Sequence, residues 1–303
     1  MDLRQLAALV AVAEQGSFSA AARALHTVQS NVSTHVARLE RELGTVLIDR
    51  ATGTLTDEGE VVIARARRVR HELDSLQADV ASMLHTISGR VRLGCMGTVG
   101  RWLVPRLFRL VRDRHPDVQV VIVDATTTSL LPQLVAETLD MAIVNLPIND
   151  PELATESLFD EDRVVIAPTH HALATHRCID LAELARHELL LEPQGTPFRD
   201  ELDDQAADAG VTLRTRAEVD GIRLLTMLAF EGFGPAVVPT TAAPPWVDTA
   251  CCRIAVEGLA PRSVGLARAH RGRLSAPARA IREAIHRLVE TADVAGIHPT
   301  IST

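Results

Sequence analysis

An apolar seam that repeats every 3.5 residues restricts the fold of this chain more than any other feature of its sequence. Within residues 58–88 its members alternate between spacings of four and three positions for four heptads without a slip. They are Val62, Ala66, Val69, Leu73, Leu76, Val80, Met83 and Ile87. This periodicity predicts one helix of about 45 Å at ~1.5 Å per residue. Thr56 is suited to cap its start, and Gly89 to terminate it.

A single helix with one apolar stripe needs a second surface to cover that stripe. A strict 3.5-residue period is typical of helices that pair with another helix, so we predict a linker and dimerisation helix over residues 58–89. The alternative is a helix that packs on its own domain, for which a strict 3.5-residue period is less usual.

The residues before the seam, 1–57, fit three short helices and a small hairpin. The amphipathic pattern of Leu3–Gln15 stops at a glycine, which easily takes the left-handed conformation found at helix ends. Ser17 can cap the second helix, whose alanines allow close packing. The third helix lies within "HTVQSNVSTHVARLERELG", and two short strands are predicted at Val46–Arg50 and Thr54–Thr56. These elements together predict a winged helix-turn-helix.

Strands and helices alternate from Arg90 onward. Alternation on this scale predicts parallel sheets covered by helices, and some 210 residues are enough for two linked α/β lobes. Lobe I is predicted from about residues 90–162 and 267–292, and lobe II from about 163–266, within a domain that spans 90–303. Ligands in such folds bind at the carboxyl ends of strands, against helix N-termini.

The outer face of the third helix is unusually polar. Val32, Val36 and Leu39 form its buried stripe, while the positions between them hold poor or middling helix formers. Gln and Asn can pair with adenine, hydroxyls accept several bases, and N-terminal amides can meet a phosphate. Two arginines are placed to contact the DNA backbone. The predicted DNA-binding residues are Gln29, Ser30, Asn31, Ser33, Thr34, His35, Arg38 and Arg50.

An exposed polar helix face is usually only a solvated face. Here the preceding short helix, the turn and the wing favour DNA binding, because that arrangement places a helix in a major groove. The formal charge of the chain is −8, and residues 1–60 hold five Arg against eight Asp or Glu, a net −3. We therefore expect local DNA contacts, made by a few Arg and by helix N-termini rather than by a broad basic surface.

The chain resembles the LysR-type transcriptional regulators. The resemblance is carried by "LAALVAVAEQGSFSAAARAL", "QSNVSTHVARLERELGTVLIDR" and "LTDEGE", and the later domain order continues it to about residue 291. The GSFS-AA pair, the Q-x-x-V-S core and the LE-x-x-LG end occur here together at the family's spacing. The resemblance implies an N-terminal all-α winged helix-turn-helix, a linker helix that pairs two subunits, and a two-lobed α/β effector domain like a periplasmic binding protein.

Individual residues can be matched to the family's DNA contacts. Gln29 and Ser33 match recognition-helix residues that meet DNA, and Arg50 matches the wing arginine. Thr34 stands where arginine is frequent in the family, so the base or phosphate contact that this arginine usually makes is not expected from Thr34.

Other positions depart from the family pattern at the start of the recognition helix and in the wing. Val28 stands where a hydroxyl cap is common, so Thr27 or Ser30 would have to supply the cap. Ser30 also replaces a frequent proline, and Ile48 a frequent phenylalanine.

The family's effector site lies in the cleft between the lobes. Amides and hydroxyls at helix N-termini suit a carboxylate, so we expect a small organic anion as co-inducer. The alternative for "TTTS" is that it only caps a helix. The residues that match the cleft lining are Thr98, Thr126, Thr127, Thr128, Ser129, Asn145, Gly195, Thr196, Pro197, Phe198 and Phe233.

Catalysis and metal binding have weak support in the sequence. It contains no GxSxG, Walker, GxGxxG or HExxH motif. A cluster of His and Cys could suggest a metal site, but it falls where the family has a polar loop. A cluster of Asp could suggest acid–base chemistry, but it is typical of a solvated helix face. These two clusters are His170, His171, His176 and Cys178, and Asp203, Asp204 and Asp208. We predict no enzyme, no catalytic residue, no metal and no cofactor.

Cysteine usage and hydropathy bear on location. Four Cys without CxxC spacing, two of them adjacent, favour a reducing cytoplasm over a disulfide framework. No apolar run approaches the ~20 residues that span a bilayer. Leu6–Ala13 could be taken for a signal peptide, but Asp2 offsets Arg4 and the stretch already fits an amphipathic helix. We expect a cytoplasmic protein without membrane contact.

These observations predict a DNA-binding transcriptional regulator that responds to a small molecule. Two-fold symmetry predicts an inverted repeat in the promoter, bound by a dimer or tetramer. The expected partners are double-stranded promoter DNA, RNA polymerase and further copies of the chain, which form a homodimer through the linker helix and a homotetramer through the lobes. The alternative is an α/β solute-binding or enzymatic protein whose helical N-terminus only oligomerises.

Overall fold

Three structural units follow one another in the order that the sequence predicts. The computed structural model describes residues 1–50, 52–84, 86–243 and 251–300. A helical N-terminal unit leads into one long helix and then into two α/β lobes, which confirms the predicted fold class. The predicted end of the effector domain at residue 303 lies outside the described residues.

The N-terminal unit has the three predicted short helices. The first ends at Gly16, with φ 71°, and the Ser17 Oγ caps the second by accepting a hydrogen bond from the Ala20 N–H at 3.2 Å. Apolar side chains from all three helices and from the start of the long helix form one core. The helices are α1 (Leu3–Gln15), α2 (Phe18–Ala24), α3 (Gln29–Leu43) and the long α4 (Asp57–Met83).

A short hairpin and a carboxylate on α3 together hold the wing: the N–H groups of Asp49 and Thr56 donate to the carbonyl oxygens of Thr54 and Leu47, at 2.9 and 3.0 Å. The two predicted strands are reduced to one antiparallel bridge between Ile48 and Leu55. The Glu40 Oε1 accepts hydrogen bonds from the N–H groups of Leu47, at 3.0 Å, and Ile48, at 3.3 Å. The predicted strands were therefore too long, and the wing takes its position from the recognition helix.

The long helix begins as predicted but ends early. Thr56 Oγ1 accepts a hydrogen bond from the Gly59 N–H at 3.0 Å, which caps the helix. The helix ends at Met83, and Gly89 begins the first strand instead of terminating the helix. The last residue of the predicted seam, Ile87, packs against the core of lobe I. The predicted seam is therefore covered by its own chain at both ends, at Ile87 and at Val62 and Ala66, which pack in the N-terminal core.

Each lobe is built on one six-stranded sheet with helices against it. Lobe I has the strand order β12-β4-β11-β3-β1-β2, and lobe II has β6-β10-β5-β9-β7-β8. The lobe I elements are β1 (Gly89–Cys95), α5 (Gly97–Arg114), β2 (Val118–Asp124), α6 (Thr127–Val135), β3 (Met141–Leu146), β4 (Leu153–Glu161), β11 (Arg262–Ala269), α10 (Ala276–Glu290) and β12 (Ile297–Pro299). The lobe II elements are β5 (Arg163–Pro168), β6 (Cys178–Asp180), α7 (Leu181–Leu184), β7 (Glu188–Leu191), α8 (Pro197–Asp208), β8 (Arg214–Glu218), α9 (Ile222–Phe230), β9 (Ala236–Pro239) and β10 (Cys251–Glu257).

The sheets are mixed rather than purely parallel, which corrects the sequence prediction. Strand β11 is antiparallel to both β3 and β4, and β10 is antiparallel to β5. The chain leaves lobe I after β4 and returns from lobe II at β11, so β11 runs opposite to its neighbours β3 and β4 in the first sheet. The return lies between residues 258 and 261, earlier than the predicted 267.

The long helix packs on lobe I as well as on the N-terminal unit. Arg68 donates hydrogen bonds to the carbonyl oxygens of Val135 and Ala136, at the C-terminal end of α6. Further along, His71 Nε2 lies 3.2 Å from Asp140 Oδ1. These contacts tie the linker helix to the body of lobe I. Among the described residues, no helix is long and apolar enough to cross a membrane.

Gly59 allows α4 to pass directly over the wing. A Cβ at this position would lie 2.1 Å from the carbonyl oxygen of Leu47. Because backbone atoms cannot yield to that extent, only glycine fits this crossing without moving the helix. The "LTDEGE" segment thus sets the contact between the wing and the linker helix.

We predict that Gly59→Ala destabilises the N-terminal unit by about 1–3 kcal/mol, since overpacking forces backbone shifts. Hydrogen exchange of the full chain should become faster in residues 40–60 and stay unchanged in the lobes. Gly100→Ala is the matched control, because the nearest atom to its Cβ would be 3.5 Å away. Equal protection in both variants would mean that α4 can move off the wing without cost.

Candidate DNA-recognition helix and inter-lobe cleft

Helix α3 presents the polar face that the sequence predicts. Five of the predicted DNA-binding side chains are exposed along it: Gln29, Ser30, Asn31, Thr34 and Arg38. Ser33 and His35 are only half-buried, and the Nδ1 atom of His35 is enclosed without a hydrogen-bond partner. His35 therefore lies at the edge of the accessible face rather than on it. The opposite side of the helix is buried in the core through Val32, Val36 and Leu39.

No side chain caps the start of α3, contrary to our expectation for Thr27 or Ser30. The Thr27 Oγ1 instead accepts a hydrogen bond from the Asn31 Nδ2 at 3.0 Å, and Ser30 offers its carbonyl oxygen to Thr34 Oγ1 at 2.8 Å. The Asn31 N–H donates to the Val28 carbonyl oxygen at 3.1 Å, which leaves the N–H groups of Gln29 and Ser30 available for an acceptor outside the chain. A phosphate oxygen is the acceptor that a helix N-terminus favours.

Arg50, the predicted wing arginine, is held beside the recognition helix. Its guanidinium lies 3.3 Å from the Oε2 of Glu40 and 6.0 Å from the centre of the Phe18 ring. About half of the side chain, 54%, stays exposed. The cation is therefore oriented by the N-terminal core while one side remains accessible.

A cavity of about 670 Å³ lies between the two lobes. The starts of four helices, α5, α6, α8 and α9, meet at this cavity. Ten of the eleven predicted effector residues line it: Thr98, Thr126, Thr127, Thr128, Ser129, Asn145, Gly195, Thr196, Pro197 and Phe198. Phe233 does not, because it follows the end of α9 with 54% of its surface exposed.

The "TTTS" segment has a structural role as well as a place in the cavity wall. Thr126 Oγ1 caps α6 by accepting from the Ser129 N–H at 3.4 Å, and Thr127 Oγ1 accepts from the Asn145 N–H at 3.0 Å. Thr126 thus caps the helix, as the alternative expected, and lines the cavity as well. Helices α5, α8 and α9 start without a side-chain cap, so N–H groups of their first turns remain available at the cavity, although the first residue of α8, Pro197, has none.

A buried ion pair joins the two chain crossings between the lobes. The Arg262 Nη2 lies 2.6 Å from the Oε2 of Glu161, with 4% and 0% of the two side chains exposed. Arg262 also donates to Thr98 Oγ1 at 2.8 Å and to Asn145 Oδ1 at 3.3 Å. The second oxygen of Glu161 accepts from the N–H and hydroxyl of Thr241 in lobe II, at 2.8 and 2.5 Å. This network fixes one cation at the back of the cavity.

A second ion pair spans the mouth of the cavity. Arg223, at the start of α9 in lobe II, lies 2.8 Å from Asp124 at the end of β2 in lobe I. Gly97 leaves room for it, because a Cβ there would lie 2.8 Å from the Asp124 Oδ1. The pair is partly exposed and therefore connects the lobes without locking them.

Two further acids line the cavity, at the ends of lobe II strands. Glu192 follows β7, and burial together with the charge of Asp220 raises its pKa to about 7. Sequence reasoning missed Glu192 and Asp124, although they lie directly after one apolar strand and at the last position of another, where site residues of α/β folds concentrate. It could not find Arg262, since β11 itself was not predicted.

The two clusters set aside in the sequence have local structural contacts. His171 Nδ1 accepts a hydrogen bond from the Leu173 N–H at 3.2 Å, which caps a short 3₁₀ turn. Asp203 pairs with Arg199 at 2.8 Å. Within the described part of the chain, no group of three or more His, Cys, Asp or Glu side chains is arranged to hold a metal ion.

Comparison with known proteins identifies both parts of the chain. Residues 3–60 match the bacterial regulatory helix-turn-helix protein family, lysR type, and residues 85–290 match the LysR substrate binding domain. The chain is 35% identical over 246 residues to a probable hydrogen peroxide-inducible genes activator of Streptomyces viridosporus, covering 80% of this chain and 78% of the relative.

Solved structures agree over nearly the whole length. A full-length variant of OxyR from Pseudomonas aeruginosa superposes with a TM-score of 0.75 at 25% identity, covering 100% of this chain and 99% of that one. CbnR complexed with its target DNA superposes with a TM-score of 0.73 at 24% identity, covering 95% and 99%. These matches do not favour the alternative of a solute-binding or enzymatic protein with a merely oligomerising N-terminus. The chain belongs to the LysR family of bacterial transcriptional regulators.

Proposed function

We propose that this regulator reads an inverted-repeat promoter site with two copies of α3, paired through α4, and that a small molecule in the inter-lobe cavity controls this binding. The feature that carries the proposal is the accessible polar face of α3 together with its uncapped first turn. In this proposal Gln29 and Ser33 contact base edges, and the free N–H groups of the first turn contact a phosphate. In the same proposal, the guanidinium groups of Arg38 and Arg50 contact the phosphates of the DNA backbone.

The pairing through α4 is supported by an apolar stripe that its own chain leaves uncovered. The side chains of Leu76 and Val80 are 59% and 52% exposed, and Met83 is 79% exposed. Val69 and Leu73 continue the same seam. Monomeric proteins rarely expose a contiguous row of this kind, and a second α4 with the same seam is its natural complement.

Reversible binding, rather than oxidation of a cavity thiol, is the proposed trigger. The relative from Streptomyces viridosporus is named for hydrogen peroxide, but none of the described residues that line this cavity is a cysteine. Burial raises the pKa of Cys95 to about 12 and that of Cys251 to about 11, which suppresses the reactive thiolate. Cys178 and Cys252 lie on β6 and β10 of lobe II, outside the cavity.

Further parts of the assignment follow from family membership and belong to the same proposal. They are a homotetramer formed through the lobes, a contact with RNA polymerase, and action in the cytoplasm, where the promoter DNA is located.

Substitutions on α3 test the DNA-binding proposal. Gln29→Ala and Ser33→Ala should each weaken binding to the DNA upstream of the chain's own gene by about 1–3 kcal/mol, roughly 5- to 150-fold, in a gel-shift titration. Gln119→Ala, an exposed glutamine on β2, is the matched control and should bind like the parent. If both α3 variants also bind like the parent, α3 is not the recognition helix.

A charge placed on the α4 seam tests the pairing. Leu76→Asp should raise the dimer dissociation constant by at least about 100-fold, since a carboxylate would be desolvated against its partner helix. Sedimentation velocity across a dilution series gives the constant. Gln77→Asp adds the same charge one position away from the seam and should stay dimeric. A Leu76→Asp protein that dimerises as tightly as the Gln77→Asp control contradicts pairing through this face.

A further inference from the structure

The charges that line the cavity do not balance. Its two arginines are each neutralised by a carboxylate, Arg262 by Glu161 at 2.6 Å and Arg223 by Asp124 at 2.8 Å. Among the described residues, no cation lies within ion-pair distance of the remaining two acids, which are those at the ends of the lobe II strands. The charge left for an occupant to neutralise is therefore negative.

The surroundings of Glu192 give it no cation of its own. The charge of Arg262, which is already paired with Glu161, lowers the pKa of Glu192, and so, to a smaller extent, does a hydrogen bond from the Gly221 N–H; burial and Asp220 outweigh both. Arg199 touches only the backbone, donating to the Glu192 carbonyl oxygen at 3.0 Å. The guanidinium of Arg199 is paired with Asp203 at 2.8 Å and lies 3.5 Å from a second carboxylate on β8.

Arg163 does not supply the missing cation either. Its guanidinium lies 4.8 Å from the centre of the Phe198 ring, on which it stacks, and it pairs with Glu201 of α8. It is not among the residues that line the cavity. The acidic end of the cavity thus presents Asp220 and Glu192 alone, without a counterion among the described residues.

A carboxylic acid held at a pKa of about 7 is the expected consequence of that imbalance. Burial and the neighbouring Asp220 both disfavour the charged form of Glu192. An ammonium group placed against the two carboxylates would reverse this effect and lower the pKa. The cavity lining also includes the uncapped starts of α5 and α8, whose free first-turn N–H groups suit a carboxylate.

We propose that the cavity binds an amino-carboxylate, with its ammonium group held by Glu192 and Asp220 and its carboxylate directed to the helix starts. This inference rests on the proposed effector function of the cavity and replaces the simple organic anion expected from the sequence. A purely anionic ligand would add to the unpaired negative charge, whereas an amino-carboxylate complements both ends.

The proposal fixes the sign of the pH dependence. The ligand favours ionised Glu192, so binding is strongest above a pH of about 7 and weakens as the pH falls below it and the acid becomes protonated. The ammonium group of a short aliphatic amine stays protonated throughout this range. Binding should therefore release a proton near neutral pH.

Matched probes test the ligand class on the full-length chain. Isothermal titration calorimetry would compare ω-amino-carboxylates from β-alanine to 6-aminohexanoate with the corresponding fatty acids that lack the amine. We expect the best amino-carboxylate to bind at least about tenfold more tightly than its deaminated partner. Glu192→Gln and Asp220→Asn should each remove most of this preference, and Glu192→Gln should also remove the pH dependence. Glu231→Gln, an exposed acid at the end of α9, is the control and should change neither.

The outcomes separate the ligand class from the regulatory function. Equal or tighter binding of the deaminated acids overturns the proposal, as does the absence of binding by every amino-carboxylate of the series at millimolar concentration. The parent chain's gel shift on its upstream DNA is measured in parallel. If DNA binding persists while the amino-carboxylates fail, the ligand class is wrong and the proposed DNA-binding function stands.

Discussion

The buried pair of Glu161 and Arg262 is the interaction on which the geometry of the effector domain depends. The two residues stand at the only chain crossings between the lobes within the described sequence, one at the end of β4 and one at the start of β11. Thr241 adds the contact from lobe II. Removing one member of such a pair leaves an uncompensated buried charge, which costs about 3–5 kcal/mol. The pair thus holds the two lobes together at the cavity, and Glu161 neutralises Arg262, the buried cation of the cavity lining.

Helix α6 connects that cavity to the DNA-binding half of the molecule. Its N-terminal residue Thr127 lines the cavity and binds the Asn145 backbone, while its C-terminal carbonyl groups accept hydrogen bonds from Arg68 of α4. Arg68 at this end also complements the negative end of the helix dipole. This nine-residue helix therefore runs without a break from the cavity wall to the contact with α4, although Pro132 inside it lacks an N–H for the helical hydrogen-bond pattern. The linker helix and the cavity wall are thus mechanically joined within one protomer.

Local patterns predicted the local structure, and the failures came from contacts between distant segments. The bounds of α1 were predicted from its amphipathic stripe and Gly16, and they agree with the structure residue for residue. The cavity wall in lobe I was also predictable, since polar residues that follow apolar strands meet at one sheet edge. Strand β11 was missed, and with it Arg262, because its pairing partners on β3 and β4 lie far away along the chain. The end of α4 was misplaced because only lobe I shows that Ile87 has a partner within its own chain.

The central claim is that two α3 helices, carried by a pair of linker helices, read one two-fold symmetric site. Selection of bound sequences from a random DNA library by the full-length protein tests this claim most directly. The account predicts an enriched inverted repeat whose half-sites are separated by one helical turn, about 10.5 bp, or by a multiple of it. Recovery of a single unpaired half-site, or of no enriched sequence at all, would contradict it.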